Sequence, residues 1–135
     1  MQPQDTYHAY HAYHDYHAVN LDALTVRASP VELVLVLTDA LLEELARARA
    51  HIAARRYERK AASLDKCMQI IHGLSSALDV EQGGTVVASL AQLYDYCAGR
   101  LHRAGVDLEP ALVDEVAGLL GTIRQGWLGV LANHG

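Results

Sequence analysis

PALVDEVAGLLGTIRQGWLGVL, residues 110–131, is the stretch on which the fold turns. Val113, Val116, Leu120, Ile123, Trp127 and Val130 recur three and four residues apart, the spacing that gathers side chains on one face of an α-helix. The same period runs through three segments upstream. Residues 84–104 offer Val86, Leu90, Leu93, Cys97 and Leu101, and residues 58–78 offer Leu64, Met68, Ile71, Ser75 and Leu78. Residues 30–54 offer Val34, Leu37, Leu41, Leu45 and Ile52. No run of strict alternation bounded by turn dipeptides competes with this pattern. Helices of ~20–25 residues are ~30–37 Å long at 1.5 Å per residue. Four of them joined by short connections predict an all-α, antiparallel up-down four-helix bundle.

The expected boundaries have physical causes. Ser29-Pro30-Val31-Glu32 reads as a capping box with proline at the first helical position. Gly83-Gly84 is expected to break the second helix, and Gly105 to end the third in the left-handed region. Asp107 to Pro110 opens the fourth helix, with Asp107 and Glu109 suited to its positive end. Nothing between Arg55 and Tyr57 forbids a continuous helix. The expected organisation is an arm over residues 1–28, the bundle over 29–131 and a tail over 132–135.

Composition narrows the function. The chain has 135 residues, of which 51% are hydrophobic and 20% charged, so a packed domain is expected rather than disorder. Its net charge of −5 disfavours nucleic acid as a partner. The charge is uneven: residues 41–66 carry seven bases against four acids, while both flanking regions are acidic. The basic block centres on ARRYERK, residues 54–60, which reads as a solvated helix corner or a contact for an acidic partner. The longest aliphatic run, Leu33 to Leu37, is far short of the ~20 residues that cross a bilayer. No basic stretch followed by an apolar run marks a signal peptide. Two cysteines in no CxxC pair suit a reducing cytosol.

No catalytic set can be assembled. The residues three before His51, His72 and His102 are Ala48, Gln69 and Gly99, so the Glu-x-x-His pairs of a di-iron bundle are missing. Gly83-Gly84 lacks the Lys-Ser/Thr of a phosphate loop. Cys67 and Cys97 fall on or beside core stripes and read as buried structural thiols. No enzyme activity, metal or cofactor is expected.

The four seams leave apolar residues over. Leu33 and Val36 fall outside the arc of the first seam. Cys67, Ile70 and Leu74 form a second stripe beside Leu64–Leu78. Tyr96 lies off the core face of the third helix, and Tyr94 lies on its edge. Wider stripes imply either a thick core or a surface for a partner. Leu33, Val36, Ile70, Leu74, Tyr94 and Tyr96 are therefore the candidate partner contacts. Gly118, Gly121, Gly126 and Gly129 are expected to face outward, either as neutral drift or as a smooth strip for another helix.

Residues 7–18 read YHAYHAYHDYHA, with tyrosines and histidines each repeating every third residue. A His-rich tract can chelate a metal, but no closed ligand pattern accompanies this one. Tyrosine suits an adhesive arm, because its ring buries area while its hydroxyl stays hydrated.

RASPVELVLVLTDAL (27–41), LDVEQGG (78–84), LYDYCAGRL (93–101) and VDEVAGLLGTIRQGW (113–127), in this order, resemble the flagellin-specific export chaperone family, FliS. Tyr16, thirteen residues before Ser29, matches that family's N-terminal tyrosine. The resemblance implies a four-helix bundle in the bacterial cytosol that binds the disordered C-terminal segment of flagellin in apolar grooves. Such binding prevents premature polymerisation and delivers flagellin to the export apparatus, with no cofactor. It also implies an N-terminal segment that covers a groove when the client is absent; the Tyr/His repeat is not a feature of the family, and Tyr10, Tyr13 and Tyr16 are expected to take that part here. Thr38 stands where the family often has an aromatic residue. Cys97, Ala98, Gly99 and Arg100 stand where it tends to have a large hydrophobe and two bases. The competing expectation is a homodimeric helical adaptor that uses the same stripes for self-association.

Overall fold

The computed structural model describes residues 30–78 and 80–134, with no side-chain detail at 80–83 and 134. Four helices account for nearly all of it: α1 (Pro30–Ala53), α2 (Tyr57–Ser76), α3 (Val80–Asp107) and α4 (Pro110–His134). Each packs on two neighbours, α1 on α2 and α4, and α3 on α2 and α4, which closes a square bundle. Two arginine–aspartate pairs fix the antiparallel register of α1 against α4. Arg49 Nε donates to Asp114 Oδ1 at 2.7 Å, and Arg124 Nε donates to Asp39 Oδ1 at 2.5 Å. The partners are ten residues apart on each helix and run in opposite order.

The core is built from most of the expected seam positions, Val86 and Val130 being exposed instead. Leu41, Leu45 and Ile52 of α1, Ile71 of α2, Cys97 and Leu101 of α3, and Val113, Val116 and Leu120 of α4 are all nearly inaccessible. Its buried polar residues Thr38, Glu44 and Ser63 are hydrogen-bonded. Thr38 Oγ1 donates to the Val34 carbonyl at 2.7 Å, so the hydroxyl on the core face costs little. The buried Glu44 carboxylate accepts from Ser63 Oγ of α2 and from Arg47 at 3.0 Å. Both cysteines are free and buried.

The helix ends correct several expectations. α1 does stop near Arg55, and it does so without glycine. Arg55 takes the left-handed conformation (φ 57°), while the Arg56 amide donates to the His51 carbonyl at 2.9 Å and the Arg55 amide to Ile52 at 3.1 Å. These two bonds close a Schellman turn. α3 does not stop at Gly105 either. It continues to Asp107, and Leu108 (φ 52°) takes the left-handed position, with the Glu109 amide donating to Ala104. Gly105 stays inside the helix instead. A Cβ there would come 2.8 Å from Leu64 Cδ1, so a larger residue would make the end of that side chain shift.

At the opposite end, α2 finishes at Ser76, before Gly83-Gly84 is reached. Gly84 (φ 58°, ψ −136°) instead kinks the start of α3. α4 runs through His134, so most of the expected tail is its last turn. Ser29, and with it the expected cap, lies outside the described residues.

The glycines of α4 behave as their spacing predicts. Gly118, Gly126 and Gly129 are exposed, Gly121 is half-buried, and a Cβ on any of them meets nothing within 4 Å. Replacing Gly121, Gly126 and Gly129 by alanine is expected to raise stability by roughly 1–3 kcal/mol, measurable by urea unfolding.

Candidate functional site

The bundle is closed at the end that holds the α1–α2 and α3–α4 turns, and open at the other. Before Tyr94 back to Gly84, and after Leu120 on to Asn133, no side chain of α3 or α4 is fully buried. Yet these two stretches are rich in apolar residues. Val86 is 69% exposed. Thr85, Val86, Ser89, Leu90 and Leu93 line an open groove of about 330 Å³. Across the same end, Trp127, Leu128 and Leu131 of α4 are half-buried and Val130 is exposed. The first turns of α1 bring Leu33 and Val36, both half-buried, to this end. Val86 was expected in the seam. Its position keeps the right period, but the kink at Gly84 precedes a stretch in which α3 buries nothing fully.

Tyr94 marks the boundary between the closed and open parts. It is 1% exposed, and burial pushes its phenol up, partly offset by the Trp127 indole beside it. The indole nitrogen is itself buried and makes no hydrogen bond in the geometry seen.

The candidate contacts therefore separate. Leu33 and Val36 sit at the open end. Tyr96 is exposed, but it is held by α4. Its hydroxyl donates to Glu115 Oε2 at 2.5 Å, Arg100 Nε donates to Glu115 Oε1 at 2.7 Å, and the guanidinium lies 5.7 Å from the Tyr96 ring centre. The hydrogen bonds from Tyr96 and Arg100 hold the Glu115 carboxyl below its ordinary range, and the bond to Glu115 raises the Tyr96 phenol. Ile70, Leu74 and Tyr94 are core residues, 6%, 1% and 1% exposed. They face the core in this structure and not the surface. The second α2 stripe thickens the core, because α2 packs against both α1 and α3 and so buries two faces. Tyr10, Tyr13 and Tyr16 lie outside the described residues.

The thiols offer no nucleophile. Burial pushes Cys67 up to about 12 and Cys97 up to about 11, so neither is ionised near neutral pH. No group of three metal-binding side chains occurs among the described residues, and no described helix is long and apolar enough to cross a membrane. What the described residues present at the open end is a largely apolar surface.

Comparison with known proteins gives this surface a context. The family model described as flagellar protein FliS matches residues 11–134. The chain belongs to the FliS family. Among its relatives, flagellar secretion chaperone FliSB of Pseudomonas aeruginosa is 36% identical over 112 residues, covering 83% of this chain and 89% of that protein. Flagellar secretion chaperone FliS of Salmonella typhimurium is 34% identical over 110 residues, covering 81% and 82%. The Bacillus subtilis FliS is 31% identical over 100 residues, 74% of each chain. The FliS match spans all four helices and reaches upstream into the Tyr/His repeat.

Proposed function

We propose that this chain is a cytosolic flagellar export chaperone that binds the C-terminal segment of flagellin on the open end of the bundle. The observation that carries the proposal is the apolar surface left by the first turns of α3 and the last turns of α4, centred on Val86, Leu90 and Leu93. FliS membership supports it. An amphipathic segment that gains helix on this surface buries its own apolar face, which otherwise drives self-association. Held in this way, flagellin stays unpolymerised and is presented to the flagellar export apparatus. The chain acts by binding, without covalent chemistry. Leu33 and Val36 flank the client, and Tyr96 becomes a contact if the client reaches the α3–α4 face.

The test is titration with a synthetic flagellin C-terminal segment, followed by circular dichroism and by the emission of Trp127, the chain's single tryptophan. The expected result is one segment per chain, helicity above the sum of the parts, and a change in Trp127 emission. Residues 1–18, with Tyr10, Tyr13 and Tyr16, compete for the same surface in this proposal, so deleting them raises client affinity. A strictly additive spectrum at saturating segment contradicts coupled folding. A chain that only dimerises, with no client response, supports the adaptor alternative.

A further inference from the structure

Half of the basic side chains among the described residues pair with a carboxylate, while at one corner Glu58 lies among four that do not. Ten lysines and arginines fall among the described residues. Five pair with carboxylates: Arg47, Arg49, Arg100, Arg103 and Arg124. Lys66 aside, the rest crowd into six residues at the α1–α2 turn: Arg55, Arg56, Arg59 and Lys60. None of these four has a carboxylate partner among the described residues. Arg56 donates to His51 Nδ1 at 3.0 Å, and Lys60 Nζ donates to the Gly105 carbonyl at 2.8 Å. Arg55 also occupies a left-handed position that a glycine would fill with less strain. The turn thus carries a cation where its backbone does not favour one.

Beside this corner, the α2–α3 interface opens into a groove of about 470 Å³. Met68 and Val106, the latter 67% exposed, supply its accessible apolar lining over the buried Leu64 and Leu101, with Lys60, Asp65 and His102 at its polar margin. The lining from Lys60 to Met68 runs about 12 Å along α2, roughly two helical turns. Lys60 stands at the end near the basic turn. Asp65, which accepts from Gln69 Nε2 at 3.0 Å, stands toward the other.

We infer that this groove and the basic turn form a second docking site, separate from the open end, for an acidic amphipathic helix of a partner protein. A groove between two antiparallel helices takes the apolar face of a third. Four cations without a carboxylate partner favour carboxylates over one end of it, and Asp65 disfavours them at the other, so the charges also set the helix's direction. Nucleic acid fits less well, because the chain as a whole is negative and Asp65 stands in the lining. The site lies at the end of the bundle away from the surface proposed for flagellin, so both are available at once.

The experiment uses the full chain, isotope-labelled for NMR, and two short synthetic helical peptides. They share leucines at three- and four-residue spacing and differ in carrying glutamate or lysine elsewhere. The expected result is that the glutamate peptide shifts the amides of His102, Gly105 and Val106, and that its affinity falls as salt is raised. Arg55→Glu with Arg59→Glu weakens it roughly tenfold, with circular dichroism and melting unchanged. Val106→Asp also weakens it. Equal binding of the lysine peptide, or shifts confined to the open end, overturns the inference. So does an oligonucleotide that binds as tightly as the glutamate peptide. Displacement of the glutamate peptide by the flagellin segment overturns it as well, and leaves the proposed client binding intact. Glutamate-peptide shifts at Gly105 and Val106 support the second site whether or not the flagellin segment changes Trp127 emission.

Discussion

Aspartate in place of Ile70 is expected to unfold the bundle. Ile70 is 6% exposed and stands one turn from Leu74, which is 1% exposed. The substitution removes ~2–3 kcal/mol of apolar burial and leaves a charge in the core with no partner designed for it. The total cost is roughly 4–5 kcal/mol or more, comparable to the ~5–15 kcal/mol that holds a domain of this size together. Thermal melting followed at the helical band checks it. A variant that melts with the parent protein would return Ile70 to the surface. Viewed as a helical wheel alone, Ile70 belongs to a spare stripe, and the opposite outcome follows.

The paired change Val86→Asp with Leu93→Asp is expected to do the reverse: binding is lost and the fold is kept. Neither residue is fully buried, and both line the groove at the start of α3. Two carboxylates there remain hydrated in the free protein, so melting moves little. In a complex they meet the apolar face of the client, and affinity falls about a hundredfold. Calorimetric titration with the flagellin segment reads it. An unchanged affinity moves the client elsewhere on the bundle.

These two substitutions also mark where sequence stops being informative. The four helices, their antiparallel order and the buried thiols are all carried by spacing and composition. Leu41, Leu45, Leu101, Val113, Val116 and Leu120 sit at the predicted positions and are buried there. Periodicity, however, assigns a face to each residue without saying how many neighbours the helix has. α2 is flanked by α1 and α3, so Ile70 and Leu74 are core. Val86 has the correct seam spacing, but no described element closes over it. The glycines mislead for a related reason. Gly105 reads as a helix stop because glycine favours left-handed backbone, whereas here it stays inside α3 with the end of the Leu64 side chain against it. The two left-handed turns fall to Arg55 and Leu108, residue types that carry no such signal. Glu44 and Ser63 likewise become core residues only once α1 and α2 are side by side. The signal that could have located the open end is the pair of features found there: Gly84 at the start of α3, and Gly121, Gly126 and Gly129 in the second half of α4.

The most direct measurement is seeded polymerisation of full-length cognate flagellin with increasing amounts of this chain. Growth is predicted to stop when one chain is present per flagellin monomer, and to proceed normally with the Val86→Asp, Leu93→Asp variant. Filaments that grow at an undiminished rate with the unaltered chain in excess would contradict the proposed function.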